Sequence, residues 1–129
     1  EGNGGVIYPE SHYGRDALVG VGLFLSHFVA EGKSMTALKA TYPQYFISKN
    51  KLTLSPDMDV DKILEGLKKK YASEEITDID GVKIDFKDGW VHLRKSNTEP
   101  IIRIYSESKD EAAANQLAED VIKVAKSLY

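Results

Sequence analysis

The second part of the chain has a regular spacing of hydrophobic residues, and this spacing predicts its helices and strands. One set recurs at the intervals of a single helix face and predicts a helix over about 58–71; its members are Val60, Ile63, Leu64, Leu67 and Tyr71. Alternating segments predict four strands, over 76–79, 82–87, 90–94 and 101–106. A last apolar stripe predicts a helix over about 109–128. The order helix, four strands, helix predicts an α+β fold in which both helices cover one face of a mainly antiparallel sheet.

The first part of the chain is less regular. Asp16 is a candidate N-cap for a helix that runs to about Ala30, and Gly32 stands where a helix C-terminus commonly has glycine. Apolar residues surround most of the axis of this helix, so we expect it to need cover on nearly every side. Ser34 is a candidate cap for a short second helix, and extended chain follows over 45–54.

The segment 55–57, Ser-Pro-Asp, has the composition of a linker, and we place a domain boundary there. Residues 1–54 and 55–129 are then two separate parts of the protein. The chain opens on a glycine-rich loop without an initiator methionine, so we expect it to be a piece whose N-terminal neighbour was removed.

Composition narrows the function classes. A chain of 129 residues that is 42% hydrophobic can form a real core. Its net charge of −3 provides no broad positive field, so we expect no nucleic-acid and no membrane partner. The apolar run from Ala17 to Ala30 is too short for a membrane span. The absence of cysteine excludes disulfides and thiolate metal sites and is consistent with a cytoplasmic protein, which we expect.

The segment 94–100 carries the most chemistry, because five successive residues combine two cations, two hydroxyls and an amide: Arg94, Lys95, Ser96, Asn97 and Thr98. A guanidinium offers a planar fork to phosphate, and successive backbone N–H groups can form an anion-binding nest. Phosphate is therefore the natural ligand of this segment. The alternative is a polar connection whose hydroxyls bind neighbouring backbone groups.

Other residues do not form a recognisable site. His27 and His92 lack partners at metal-ligand spacing, so we predict no metal site in this chain. Gly20 and Gly22 lie within a predicted helix without a preceding strand, which argues against a dinucleotide-binding motif.

The segment 94–100 resembles the phosphate-binding loop of the last domain of the α-D-phosphohexomutases, whose pattern is Arg-x-Ser-(Asn/Gly)-Thr-x-Pro. The resemblance implies that four residues hold the substrate phosphate that is not reacting, with Lys95 as a further contact; the four are Arg94, Ser96, Asn97 and Thr98. Arg103 on the following strand is either a second cation at this site or a solvated strand residue. The predicted order of elements also resembles that family's fourth domain.

The opening segment resembles the remainder of the family's third-domain loop Gly-Glu-x-Ser-Gly-His, which binds sugar hydroxyls. Glu1 matches the family glutamate, and Asn3 stands where serine is usual, so the resemblance implies that both bind the sugar. Gly5 stands where histidine is usual and has no acid–base group. His12 is either a substitute for that histidine or an exposed loop residue. Residues 1–54 would thus be the truncated helical end of a sugar-binding α/β third domain.

The resemblance also implies a mechanism. In the family, a phosphoserine in the first domain donates its phosphoryl group to a hexose phosphate, the bisphosphate reverses, and Mg²⁺ held by the second domain assists. Neither the serine loop nor the metal loop occurs in this chain, so the resemblance implies that it contains no catalytic residue. We expect it to be inactive alone and to have Mg²⁺ bound only elsewhere in its parent. The implied partners are a hexose phosphate and the remaining domains. Glucose, mannose and glucosamine phosphates all remain open.

Two other functions remain open at this point. The chain is alternatively a non-enzymatic α+β module that binds a phosphorylated partner through the same loop. It is otherwise an assembly domain whose helix 17–30 docks on another subunit.

Overall fold

The computed structural model describes residues 5–55 and 58–129, and the chain divides into two compact units between Pro43 and Gln44. The sequence predicts the boundary later, in the segment 55–57. The division lies upstream of that segment because residues 46–53 form a strand of the second unit's sheet.

The first unit contains helices α1 (Ala17–Glu31) and α2 (Met35–Ala40). The Asp16 carboxylate accepts hydrogen bonds from two backbone N–H groups of the first turn of α1, at 2.9 and 3.0 Å. Gly32 follows α1 with φ of 61°, in the left-handed region that glycine adopts at low cost. Ser34 caps α2 through its hydroxyl. These capping contacts confirm where the sequence places the two helices.

Helix α1 keeps its apolar side chains largely uncovered. None of its residues, all of which are described, is buried, and Leu18 and Val29 are 84% and 77% exposed. This agrees with the expectation that the helix needs cover on nearly every side. No helix in the described part of the chain combines the length and hydrophobicity that crossing a membrane requires.

In the described residues of the second unit, five antiparallel strands form one sheet in the order β1-β5-β4-β3-β2. The strands are β1 (Phe46–Thr53), β2 (Glu75–Thr77), β3 (Val82–Phe86), β4 (Gly89–Lys95) and β5 (Ile101–Ser108). The last four are the strands that the sequence predicts. The predicted α+β class with an antiparallel sheet is therefore confirmed.

The fifth strand, β1, corrects the predicted count of four. The sequence predicts extended chain over 45–54 but assigns it to the preceding domain. In the structure, β1 pairs with β5 along its whole length, from Phe46 opposite Ser108 to Thr53 opposite Ile101. Since a helix and three other strands separate β1 from β5 along the chain, the local sequence pattern carries no sign of this pairing.

Helices α3 (Val60–Lys70) and α4 (Glu111–Lys126) pack on one face of this sheet, as the sequence predicts. The hydrophobic core combines residues from both helices with inward-facing residues of β1, β4 and β5: Leu52, Val60, Ile63, Leu67, Val91, Leu93, Ile102, Ile104, Val121 and Ala125. Because both helices cover the same face, the other face stays open.

The open face carries mostly polar and aromatic side chains. Neighbouring residues along a strand point to opposite faces of a sheet, so the burial of Val91 and Leu93 turns the intervening side chains outward. The outward side chains of β4 and β5 include Trp90, His92, Arg94, Arg103, Tyr105 and Glu107. The two arginines lie next to the β4–β5 connection.

Two isoleucines, one in the core and one on the surface, should differ in how much their substitution by alanine lowers the free energy of unfolding. Ile104 is completely buried, whereas Ile79 is 92% exposed. Ile104→Ala should lower the free energy of unfolding by about 2–5 kcal/mol, because it leaves a cavity in a packed core. Ile79→Ala should change it by less than about 0.5 kcal/mol. Urea unfolding followed by Trp90 fluorescence measures both, and equal effects would contradict this description of the core.

Candidate functional site

The candidate site lies where β4 ends and β5 begins. The Ser96 N–H donates to the Ile101 carbonyl at 3.0 Å, and the Leu54 N–H donates to the Pro100 carbonyl at 2.9 Å. Ser96 is 8% exposed, and its Oγ accepts the N–H of Thr98 at 3.4 Å. The connection is therefore tied to the sheet at both ends, and the buried serine shapes its interior.

The backbone of this loop retains donors for an anion. The N–H of Ser96 closes the strand pair, and the N–H of Thr98 points to a hydroxyl. Within residues 5–55 and 58–129, the N–H groups of Asn97 and Glu99 have no hydrogen-bond partner. The sequence predicts that the loop amides bind an anion, and these two are the amides that the hydrogen bonds of the loop leave unused.

An open pocket of about 240 Å³ lies beside the loop. It is lined by Asp80, Arg94, Lys95, Ser96, Asn97, Thr98 and Arg103. This lining includes all five side chains that the sequence predicts to bind phosphate. It also includes Arg103, whose role the sequence leaves open, and Asp80, to which the sequence assigns no role. Three cations and one carboxylate make the lining positive, although the whole chain carries a net charge of −3.

The two arginines face each other across the strands. Arg94 on β4 pairs with Arg103 on β5, so both side chains leave the same face of the sheet. Like charges directly opposite each other on a sheet face are destabilising. Each guanidinium has a carboxylate nearby: Asp80 Oδ2 lies 3.0 Å from Arg94 Nη1, and Glu99 Oε2 lies 3.8 Å from Arg103 Nη2. A dianion bound between the arginines would further reduce their repulsion.

Asp80 lies in a turn that packs closely on the backbone of β4. The next residue, Gly81, has φ of 77°, and a Cβ there would lie 2.1 Å from the carbonyl oxygen of Leu93. His92 Nε2 donates to the Asp80 carbonyl at 2.6 Å. The sequence leaves residues 80 and 81 between two predicted strands and does not indicate that Asp80 lies near Arg94. Only the register of β3 with β4 provides that information.

His12, which the sequence leaves open as a functional residue, uses both ring nitrogens locally. Its Nε2 lies 3.1 Å from Asp16 Oδ2, and its Nδ1 accepts the N–H of Gly14 at 3.0 Å. The pKa of Asp16 is lowered, first by the hydrogen bond from the N–H of Val19 and then by the bond with His12. These contacts give His12 a structural role in the loop before α1.

Two further predictions concern sugar binding and metal binding. Glu1 and Asn3, predicted to bind sugar hydroxyls, lie outside the described residues. In the part of the chain that the structure describes, no group of three or more His, Cys, Asp or Glu side chains is arranged to hold a metal ion. The described residues therefore do not fit Mg²⁺.

Comparison with known proteins identifies the segment that carries the pocket. Residues 50–124 match the family model described as the phosphoglucomutase/phosphomannomutase C-terminal domain. The chain belongs to the phosphoglucomutase/phosphomannomutase family. This finding confirms the family resemblance that the sequence motif carries, and the matched segment contains β4, β5 and the loop between them.

Individual members of the family match nearly the whole chain. It is 40% identical over 126 residues to the phosphoglucosamine/phosphogalactosamine mutase of Sulfurisphaera tokodaii, a match that covers 96% of this chain and 28% of that protein. It is equally identical, 40% over 126 residues, to the phosphoglucomutase/phosphomannomutase of Thermococcus kodakarensis, with 96% and 27% covered. The chain therefore spans less than a third of the length of these relatives.

A solved structure shares the fold. The crystal structure of a phosphoglucomutase/phosphomannomutase family protein from Burkholderia thailandensis matches with a TM-score of 0.68 at 24% identity. The match covers 96% of this chain and 26% of that one. The arrangement of elements described above is thus one that the family uses.

The turn next to the pocket should tolerate only glycine at position 81. Gly81→Ala combines a strained φ with a collision against the β4 backbone, and it should lower the free energy of unfolding by at least about 1–3 kcal/mol. Asp78→Ala nearby removes only an exposed ion pair with Lys68 and should cost less than about 1 kcal/mol. Urea unfolding of both variants tests this, and a wild-type midpoint for Gly81→Ala would show that the turn moves freely.

Proposed function

We propose that this chain is the phosphate-binding portion of a phosphohexomutase, an enzyme that interconverts hexose 1-phosphate and 6-phosphate through a bisphosphate. The pocket beside the β4–β5 loop holds the phosphate group that is not reacting. Membership of the family and the mutase names of the relatives support this function. Because the chain spans less than a third of those relatives, the complete activity belongs to a longer parent.

One observation carries the proposal: Arg94 and Arg103 lie opposite each other on the lining of a small, open and positively charged pocket. A phosphate dianion can accept hydrogen bonds from both guanidiniums, and charge-assisted bonds of this kind are about twice as strong as neutral ones. A polar connection without a ligand would gain nothing from two opposed cations. The phosphate-binding role therefore accounts for a placement that the fold alone does not require.

The remaining loop residues have separate roles in this proposal. Lys95 adds positive charge at the end of β4. Asn97 and Thr98 offer side-chain donors, and the Asn97 amide adds a backbone donor. Ser96 is also proposed to contact the phosphate; it is almost buried, and its hydroxyl lies 3.4 Å from the Thr98 N and 3.5 Å from the Thr98 Oγ1.

A grip on the remote phosphate contributes to catalysis by positioning. Binding energy obtained far from the reacting bond orients the substrate at the reacting centre. When the bisphosphate reverses, the same pocket receives the other phosphate. A cationic pocket that contacts mainly phosphate oxygens can bind the sugar bisphosphate in both orientations. A pocket that forms hydrogen bonds with individual sugar hydroxyls would accept the two orientations less readily.

Other parts of the parent supply the rest of the reaction in this proposal. Residues 44–129 correspond to the fourth domain, and the preceding residues to the end of the third, where Glu1 and Asn3 contact sugar hydroxyls. The phosphoserine and Mg²⁺ lie in the domains before them, so the chain alone is inactive. We propose a cytoplasmic location and a glucose, mannose or glucosamine phosphate as substrate. Assaying the full-length parent with these three 1-phosphates tests the activity and identifies the sugar.

Removal of the Arg94 guanidinium should weaken phosphate binding. In the full-length parent, Arg94→Ala should cost about 1.5–3 kcal/mol of sugar-phosphate binding, the range for hydrogen bonds to charged groups. The ratio of wild-type to mutant kcat/KM measures this loss. Lys69→Ala on α3 is the matched control, and it should leave the kinetics unchanged. Wild-type kinetics for Arg94→Ala would reject the proposed site.

Arg103 should contribute to the same site. Arg103→Ala should weaken the binding of inorganic phosphate to this chain by at least about fivefold, since one of two opposed guanidiniums is lost. Lys51 lies opposite Arg103 on β1 and is not among the pocket-lining residues, so Lys51→Ala is the control for charge alone. Titration with phosphate, followed by the backbone amide NMR signals of the loop, compares the two. If both variants weakened phosphate binding equally, Arg103 would contribute only through its charge and would not belong to the site.

A further inference from the structure

We infer that Asp80 is a positioning residue of the phosphate site, which holds the Arg94 guanidinium in place while the pocket is empty. This inference rests on the proposed function. It concerns a residue on a different hairpin from the phosphate-binding loop, and the loop motif does not contain it. Asp80 nevertheless lines the same pocket.

The first support is the way in which Asp80 is anchored. The next residue, Gly81, has a positive φ and packs closely on β4, since a Cβ there would lie 2.1 Å from the carbonyl oxygen of Leu93. The Asp80 carbonyl accepts a hydrogen bond from His92, which stands on the same strand and face as Arg94. The carboxylate thus projects from a backbone that β4 holds at two points.

The second support is the contact itself. Arg94 Nη1 donates to Asp80 Oδ2 at 3.0 Å, and the arginine side chain is 34% exposed. A long arginine side chain loses conformational entropy when it binds a ligand. An ion pair with Asp80 already restricts its rotamers, so less entropy is lost when phosphate binds. Repulsion from Arg103 would otherwise favour conformations in which Arg94 turns away from the pocket.

Glu99 provides an internal comparison. It also lies near a pocket arginine, but its Oε2 is 3.8 Å from Arg103 Nη2, beyond hydrogen-bond distance. Glu99 belongs to the loop that receives the anion, and its side chain is 55% exposed. The Glu99 carboxylate partly neutralises the charge of Arg103 but does not hold its guanidinium in one position. A phosphate that enters the pocket should therefore displace it. The two carboxylates therefore have opposite expected effects on phosphate affinity.

Inorganic phosphate binding to this chain, followed by the NMR signals of the loop amides, tests the inference. Asp80→Ala should raise the Kd for phosphate by about two- to fivefold, the range for a partly exposed ion pair. Asp80→Asn keeps an oxygen acceptor at the same place and should restore most of the affinity. Glu99→Gln should leave the Kd unchanged or lower it. Tighter binding by Asp80→Asn than by wild type would mean that the carboxylate competes with phosphate, and would overturn the inference.

A double-mutant comparison separates positioning from a general loss of structure. In an Arg94→Ala background, Asp80→Ala should have no further effect on the Kd, because its action passes through Arg94. An undiminished effect in that background would show that Asp80 acts only on the fold. If Arg94→Ala left the Kd for phosphate unchanged, the proposed function would fail. If Arg94→Ala raised the Kd while Asp80→Ala left it at the wild-type value, only the role of Asp80 would be rejected.

Discussion

The register of β4 against β5 is the constraint on which the site depends. It sets Arg94 opposite Arg103 on the open face of the sheet and brings both ends of the loop together. A slip of one residue in either strand would turn one arginine toward the helices and bury its charge. The alternating apolar residues of both strands prevent such a slip, because they fill the core. Core packing and site geometry are thus determined by the same pairing.

The site concentrates positive charge in a chain whose net charge is negative. Two opposed guanidiniums are unfavourable without counter-charges, and the fold supplies a carboxylate close to each. The two carboxylates differ in their contacts: Asp80 accepts a hydrogen bond from Arg94, whereas Glu99 lies 3.8 Å from Arg103. These carboxylates reduce the repulsion between the two guanidiniums, and the lining of the pocket keeps a net positive charge.

The sheet has one face that is packed against the helices and one that is open, and this arrangement is consistent with the proposed binding role. Both helices cover one side of the sheet, so the loop and the two arginines stay accessible. The segment that matches the family model, residues 50–124, contains the strands and the loop beside the pocket. In an enzyme several times longer than this chain, one domain can orient the substrate while others carry the reacting groups.

The sequence by itself determined the helices, four of the five strands, and the identities of the loop residues, because caps, periodicity and the loop motif are local features. Tertiary structure decided what depends on distant segments. The strand β1 joins the sheet only through β5, which moves the division between the units upstream of the predicted linker. The proximity of Arg94 to Arg103 and to Asp80 follows from strand register, and no local pattern encodes register between strands whose alternation fits several alignments.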